Sequence, residues 1–270
     1  MRIKIASHSG FCFGVKRAIN IAEKTLKESK DSNNIYSLGS IIHNPQVVEG
    51  LSKKGLKVIK DITNIKKGVV IISSHGTTIE AIKKIRDKQL DLIDATCPFV
   101  KSAHNIVKDL KASGYRIVII GDKKHPEVKA LLSLAGRKTK GNKIAVISQT
   151  TQSKNNYLKG VARLLKKDFN ELRIFNTICN DTAHRQALTR ELLKECDVMV
   201  IVGGKNSANT RRLWHICKES GVDSYHIETD VELKKEYFSG KRCVGVVSGA
   251  STPDAMVQSV VKKIKRKRGI

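Results

Sequence analysis

Apolar and polar positions along the chain change period repeatedly, and the changes predict a regular succession of strands and helices. Short apolar runs read as strands near residues 2–6, 35–38, 56–59, 69–72, 90–96, 115–120, 143–147, 172–175, 197–202 and 243–247. The run Val69-Val70-Ile71-Ile72 is continuous instead of alternating, the pattern of a strand covered on both faces. Between the runs, apolar residues three and four apart predict helices. Val15, Ala18, Ile19, Ala22 and Leu26 mark one over 15–27, and Val100, Ala103, Ile106, Val107 and Leu110 mark another. Further helices are expected over 46–53, 79–87, 157–167 and 182–194, after Glu127, through Trp214 and at the C-terminal end. Strands alternating with helices in this way indicate an α/β fold.

The pattern repeats. A cysteine stands at a strand-to-helix junction three times: Cys12 between Gly10 and Gly14, Cys97 before Pro98, and Cys179, at intervals of 85 and 82 residues. His43, His125 and Asn209 stand at matching polar junctions, 82 and 84 residues apart. Such a period predicts three α/β units, 1–96, 97–177 and 178–270, with the C-terminal helix packing back on the first. Each unit offers one cysteine and two polar loops at the C-terminal ends of strands, where parallel sheets bind ligands. Three units related by a pseudo-threefold axis would bring the thiols and loops to one point. No linker rich in proline, glycine or serine separates them, so tight packing is expected.

With 270 residues, 40% of them hydrophobic, the chain can build a sizeable core. Its apolar runs fall far below the roughly 20 residues that span a bilayer, and the N-terminus lacks the apolar region of a signal peptide. A cytoplasmic protein with no membrane partner is expected. Six cysteines without a CxxC pair point to reduced thiols, some of them metal ligands, instead of a disulfide framework. Lysine and arginine number 51 against 25 acidic residues, a net charge of +26 that attracts polyanions and acidic proteins. That charge is spread along the chain, and its local run at 262–268 continues the last helix as a solvated helix end. With 4% aromatic residues and no RNA-binding motif, nucleic acid is an unfavoured partner.

Three thiolates without an equivalent fourth suit either an iron-sulfur cluster with one open iron or a zinc ion whose fourth ligand is histidine or water. Each precedes a helix, whose N-terminal dipole is expected to lower the thiol pKa. Cys196, Cys217 and Cys243 lie within strand or helix patterns and read as small core residues. His43, His75 and His125, with Ser207, Asn209 and Ser251, follow strands and precede helices, a placement suited to a phosphate-type anion. Glu127, in a His-Pro-Glu turn, is a candidate proton donor, and Thr150 and Thr151 offer hydroxyls. His8, His104, His184, His215 and His226 lack the repeated placement.

Nine motifs in order carry a resemblance over nearly the whole chain. They are Gly10 to Ala18 (GFCFGVKRA), His43-Asn44-Pro45, Ser74-His75-Gly76, Ala95-Thr96-Cys97-Pro98, His125-Pro126-Glu127, Ser148-Gln149-Thr150-Thr151, Thr177-Ile178-Cys179, Asn206-Ser207-Ala208-Asn209-Thr210 and Gly249-Ala250-Ser251. Together they resemble the IspH/LytB family of 4-hydroxy-3-methylbut-2-enyl diphosphate reductases. The resemblance implies a trefoil of three α/β units around a central 4Fe-4S cluster, bound by Cys12, Cys97 and Cys179, with one iron open to the substrate hydroxyl. It implies a two-electron reductive dehydroxylation of the allylic diphosphate to isopentenyl and dimethylallyl diphosphate, the last step of the methylerythritol phosphate route. Glu127 would deliver protons with support from His125, and Thr150 would orient the alcohol oxygen. His43, His75, His125, Ser207, Asn209 and Ser251 would hold the diphosphate, and Ala208 would offer only its amide where the family usually has a second serine. The electron donor would be an acidic carrier, ferredoxin or flavodoxin, and the protein a monomer or homodimer. Asp181 and Thr252 also depart from the family pattern, which usually has alanine at both, and are expected to alter loop packing. The competing readings are a basic nucleic-acid-binding protein with structural cysteines and a zinc-dependent hydrolase of a phosphorylated metabolite.

Overall fold

The computed structural model describes residues 1–29, 34–136 and 142–266. The last residues of the basic run at 262–268 therefore lie outside the described residues, and its earlier part belongs to the final helix, as expected. The chain divides into two compact bodies. A terminal body comprises Met1–Cys12, His43–Pro45 and Asn180–Ile270, and a middle body comprises Phe13–Ile42 and Gln46–Cys179.

The middle body holds two sheets. In the first, β2 (Ile35–Leu38), β3 (Lys57–Ile59), β4 (Val69–Ile72) and β5 (Asp91–Asp94) lie in the order β3-β2-β4-β5, every pair parallel. In the second, β6 (Arg116–Ile120), β7 (Lys143–Ser148) and β8 (Glu171–Phe175) lie in chain order, again parallel. Parallel neighbours require crossovers, and α1 (Phe13–Glu28), α2 (Pro45–Lys53), α3 (Ile79–Asp87), α4 (Pro98–Ala112), α5 (Pro126–Ala135) and α6 (Lys154–Leu164) alternate with the strands. β7 shows why residues 144–147 are apolar without a break. Ala145 and Ile147 face Val107, Leu110 and Leu131 on one side. Ile144 and Val146 face Tyr157, Val161 and Leu164 on the other. Both faces are covered by helices, so alternation disappears.

The terminal body holds β1 (Arg2–Ile5), β9 (Val198–Val202), β10 (Asp223–Ile227) and β11 (Cys243–Ser248) in the order β1-β11-β9-β10, all parallel. Helices α7 (Asn180–Leu193), α8 (Ala208–Glu219) and α9 (Asp254–Arg266) cover it. Val257, Val260, Val261 and Ile264 of α9 pack on Val198, Val200, Val244 and Val246, with Met1 and Ile3 alongside. The C-terminal helix thus returns to the sheet that contains the first strand. Cys196, Cys217 and Cys243 lie in apolar core with Met199, Ile201 and Leu213, as their sequence surroundings indicated.

Sheet membership differs from the expected unit 1–96 at one edge. β1 does not join β2 to β5; it pairs with β11, Arg2 opposite Cys243 and Ile5 opposite Val246. Taken from the edge strand that leads to a cysteine, the three sheets read β1-β11-β9-β10, β5-β4-β2-β3 and β8-β7-β6. The order is the same in the two four-stranded sheets, and the three-stranded sheet also ends at the strand before its cysteine, so each cysteine closes the strand sequence of a sheet where the expected division made it open a unit. In the terminal body the chain's first strand supplies the last place.

Two local differences have clear causes. Helix α6 starts at Lys154, three residues before the expected start, because the Ser153 hydroxyl accepts the Asn156 amide at 3.2 Å and caps it there. β10 was not expected from the sequence; Asp-Ser-Tyr-His-Ile forms an edge strand on β9 and lacks a strong apolar pattern.

Candidate functional site

Because every sheet is parallel, the loops that leave its strands gather at one edge, and each predicted site residue lies in or just after such a loop. In all three sheets the cysteine following the edge strand is latched to the loop of the adjacent strand. The Cys12 amide donates to Ala250 O at 3.0 Å, the Cys97 amide to Ser74 O at 3.0 Å, and the Cys179 amide to Thr150 O at 2.9 Å. Those acceptors are themselves Thr150 or neighbours of Ser251 and His75. The repeat seen in the sequence is therefore a repeat of hydrogen bonding within each sheet.

In the middle body, Pro126 opens α5 with His125 as its N-cap, and the His125 ring Nδ1 accepts the Glu127 amide at 3.2 Å. Accepting at Nδ1 leaves Nε2 as the protonated nitrogen of the neutral ring. His75 stacks edge-on against His125, ring centroids 5.2 Å apart. Glu127 is 1% exposed, and its carboxylate receives the Thr150 amide at 2.6 Å and the Thr150 hydroxyl at 2.9 Å. Burial pushes the Glu127 pKa up to about 7, and the two bonds from Thr150 oppose that rise without cancelling it. A carboxyl group in this state holds a proton near neutral pH and can release it.

Cys97 is the N-cap of α4, with Pro98 in the first turn. Gly14 is required beside it, since a Cβ on Gly14 would collide with the Cys97 Sγ. The expected lowering of thiol pKa is not found at Cys97. Burial raises it, and the amides of Phe99 and Val100 at the helix start only partly offset that, with Glu127 adding to the rise and Arg17 opposing it. Desolvation of a part-buried thiol outweighs one helix terminus, so a metal ion, not the helix alone, would be needed to hold it as thiolate.

In the terminal body, Ser207 caps α8, its hydroxyl accepting the Thr210 amide at 3.3 Å, and Ala208 and Asn209 form the first turn. Asn209 is 3% exposed, yet neither its Oδ1 nor its Nδ2 has a hydrogen-bond partner. A buried amide with four unmet bonds marks a place where a polar ligand completes the structure. The Ser251 hydroxyl donates to the His43 carbonyl at 3.0 Å, and Gly204 lacks a Cβ where one would stand 2.5 Å from that same oxygen. Burial, then the charge of Arg211, pushes His43 down to about 4, so its ring is neutral.

One residue escaped the sequence reading. Arg185, 2% exposed, donates to the carbonyls of Gly10 at 2.8 Å, Ser248 at 3.1 Å and His8 at 3.2 Å, and to Asp181 at 2.8 Å. It thereby ties the loop of Cys12 to the end of β11. The available signal was Asp181 four residues earlier on α7, an i,i+4 acid-base pair. Asp181 also accepts a hydrogen bond from His8 Nε2 at 2.6 Å. Burial pushes its pKa up, but Arg185 and His8 outweigh burial and hold it below the usual range. Thr252 is accommodated by donating to Val202 O at 3.0 Å.

The three candidate cysteines are part-exposed at strand ends while the other three are buried, and none of the six forms a disulfide. A part-exposed thiol at a strand end, cradled as Cys97 is by the missing Cβ of Gly14, has the chemistry of a soft metal ligand. No described helix is long and apolar enough to cross a membrane.

A family model described as LytB protein matches residues 3–265. A 4-hydroxy-3-methylbut-2-enyl diphosphate reductase from Pelobacter propionicus is 43% identical, the match covering 98% of this chain and 98% of that one. One of the same name from Nautilia profundicola is 42% identical over 98% of this chain and 99% of its own. A solved (E)-4-hydroxy-3-methyl-but-2-enyl diphosphate reductase, titled the terminal enzyme of the non-mevalonate pathway, shares 42% identity with a TM-score of 0.69, covering 98% and 100% of the two chains. The reductase structure from Plasmodium falciparum gives a TM-score of 0.89 at 28% identity, covering 97% and 87%.

Proposed function

The chain belongs to the LytB family of 4-hydroxy-3-methylbut-2-enyl diphosphate reductases, and from that premise we propose how its residues carry out the reaction. The activity is a reductive dehydroxylation: the substrate's terminal carbon-oxygen bond breaks, two electrons and two protons enter, and isopentenyl or dimethylallyl diphosphate leaves with water. Neither nucleic-acid binding nor zinc-dependent hydrolysis is the activity of this family.

Cys12, Cys97 and Cys179 would hold a 4Fe-4S cluster with one open iron. When bound, that cluster supplies the electrons and a Lewis-acidic iron that weakens the carbon-oxygen bond. All other steps belong to side chains of the chain itself. Glu127 is the proton donor, and the observation that carries the reading is its state: fully buried, poised near pH 7, and clasped by both donors of Thr150. A carboxyl group in water would be ionised at that pH and could not deliver a proton. Thr150 passes its hydroxyl hydrogen bond between Glu127 and the substrate oxygen, fixing that oxygen for protonation.

His43, His75, His125, Ser207, Asn209 and Ser251 hold the diphosphate, with the amide of Ala208 at the start of α8. The buried Asn209 amide gains partners when the anion arrives. Neutral His43 donates one hydrogen bond and is drawn toward the imidazolium by the dianionic ligand. Binding energy from this remote group positions the reacting end, which is how an enzyme lowers a barrier at a poor leaving group. Ala208, lacking the usual hydroxyl, weakens binding modestly. Electrons come from an acidic carrier protein of the ferredoxin or flavodoxin type, attracted by the net charge of +26. The division into three α/β units, each contributing one cysteine, and a cytoplasmic location belong to the same reading.

Protein purified without oxygen is expected to be brown, with about four irons per chain, and to consume the hydroxylated allylic diphosphate with reduced methyl viologen. A colourless zinc-loaded protein with full activity would overturn the cluster. Retained turnover in Cys12→Ser would overturn the ligand assignment.

A further inference from the structure

The reaction consumes two electrons, and they must enter the protein from outside. On the middle body a groove of about 610 Å³ runs along α1, lined by Phe13, Lys16, Arg17, Asn20, Ile21 and Lys24. These positions recur at three and four residues and form one stripe of the helix. Every charged residue lining the groove is basic. The groove of about 280 Å³ beside Thr77 and Thr78 differs, because Lys60 and Lys84 there are balanced by Asp61 and Glu80.

Phe13 lies at the head of the α1 stripe and is 65% exposed, a large apolar ring left in water. An exposed aromatic surrounded by lysine and arginine has the make-up of an interface centre with a charged rim. The groove is also coupled to a candidate electron-accepting centre. Phe13 directly follows Cys12 in the chain and precedes Gly14, where a Cβ would collide with the Cys97 thiol. Arg17, in the groove wall, donates to Thr96 O at 3.1 Å, one residue before Cys97. Phe99, two residues after Cys97, is 46% exposed.

We propose that the Phe13–Lys16–Lys24 face of α1 is the docking surface for a small acidic one-electron carrier protein, which delivers electrons through the α1 start and the Cys97 loop. The carrier's carboxylates meet Lys16 and Lys24, and an apolar patch around its redox group covers Phe13. Each encounter transfers one electron, oxidising the carrier by one and reducing this protein by one, so two encounters serve each turnover. The proposal rests on the reductase reading above and adds to it where the donor binds.

The test compares two reductants on the cofactor-loaded enzyme, reduced flavodoxin as the acidic carrier and reduced methyl viologen, which needs no docking surface. Lys16→Glu/Lys24→Glu, both at exposed positions, should raise the KM for flavodoxin by about tenfold or more and flatten its salt dependence. Viologen-driven turnover should stay within about twofold of the parent, because neither residue meets substrate. The control Lys154→Glu/Lys159→Glu makes the same charge change at exposed positions of α6 and should leave the flavodoxin KM nearly unchanged. An unchanged flavodoxin KM in the α1 double variant, or an equal rise in the α6 control, overturns the proposal. The single variants Lys16→Glu and Lys24→Glu keep the test decisive if the double variant does not fold, and loss of viologen activity in both also overturns it. A parent enzyme that turns over with viologen but with no acidic carrier refutes the docking surface alone. A parent inactive with viologen refutes the reductase reading instead.

Discussion

Replacing Glu127 by glutamine should make the protein more stable and less active at once, with the gain in stability depending on pH. The carboxyl group titrates at about 7 in the folded chain against an ordinary value of 4.5. Between those values the folded state keeps a proton that the unfolded chain has released, so stability falls as pH rises through the window and the loss is complete above about pH 7. The gap of about 2.5 units, at roughly 1.36 kcal/mol each, amounts to about 3 kcal/mol. Glutamine has nearly the same shape and an oxygen to accept the Thr150 amide, but it never ionises. The variant should therefore match the parent near pH 4.5 and exceed it by up to about 3 kcal/mol at pH 8. In a chain of this size that corresponds to a rise in Tm on the order of 5 °C. Anaerobic thermal or urea unfolding at pH 5 and pH 8 measures the difference, and viologen-driven turnover measures the activity, expected to fall at least about a hundredfold. A stability difference that is the same at both pH values, or a loss that grows with pH, would show that Glu127 is not a strained carboxylate and refute the reasoning.

Three further outcomes follow from single contacts. Thr150→Val removes the hydroxyl that stabilises ionised Glu127 at 2.9 Å; a hydrogen bond to a charged group is worth roughly 1.5–3 kcal/mol. The alkaline limb of kcat/KM should move up by about one to two pH units as overall activity falls, and a limb that stays or moves down would contradict the pairing. Gly14→Ala should lower iron content per chain while leaving helical circular dichroism intact, because the added Cβ collides with Cys97 Sγ on a helix that otherwise favours alanine. Asn209→Leu removes a buried amide with no partner, so the unliganded protein should gain about 1 kcal/mol while the KM for the diphosphate rises at least about tenfold. A lower Tm with unchanged KM would mean that the amide is not aimed at the substrate.

The strand-helix succession was largely legible because both periods are strong and glycine, proline and capping residues mark their ends. Where the local signal was weak, as at the edge strand Asp223–Ile227, pairing with β9 decided the structure and sequence gave no warning. The candidate loops were legible for a topological reason, since any polar cluster following a buried parallel strand lies at the ligand-binding edge. The physical state of their residues was not. Asn209 could not be known to lack partners, nor Glu127 to be clasped by Thr150, because both conditions arise between segments far apart in the chain. Arg185 escaped for the same reason: its acceptors are carbonyls of His8, Gly10 and Ser248, and a backbone carbonyl leaves no trace in sequence.

By itself, then, the sequence determined the repeat, the three strand-end cysteines, the family and the residue types at each loop. These depend on local periodicity and spacing, which the chain carries in linear form. Only the tertiary structure decided that the first strand completes the sheet of the last segment. Pairing across an edge depends on which partner offers unpaired amides and carbonyls, and β11 offered them to Arg2–Ile5. Tertiary structure also set the charge states, keeping Glu127 protonated near neutrality and Cys97 reluctant to ionise, because desolvation is a property of everything packed around a group and not of its neighbours in sequence.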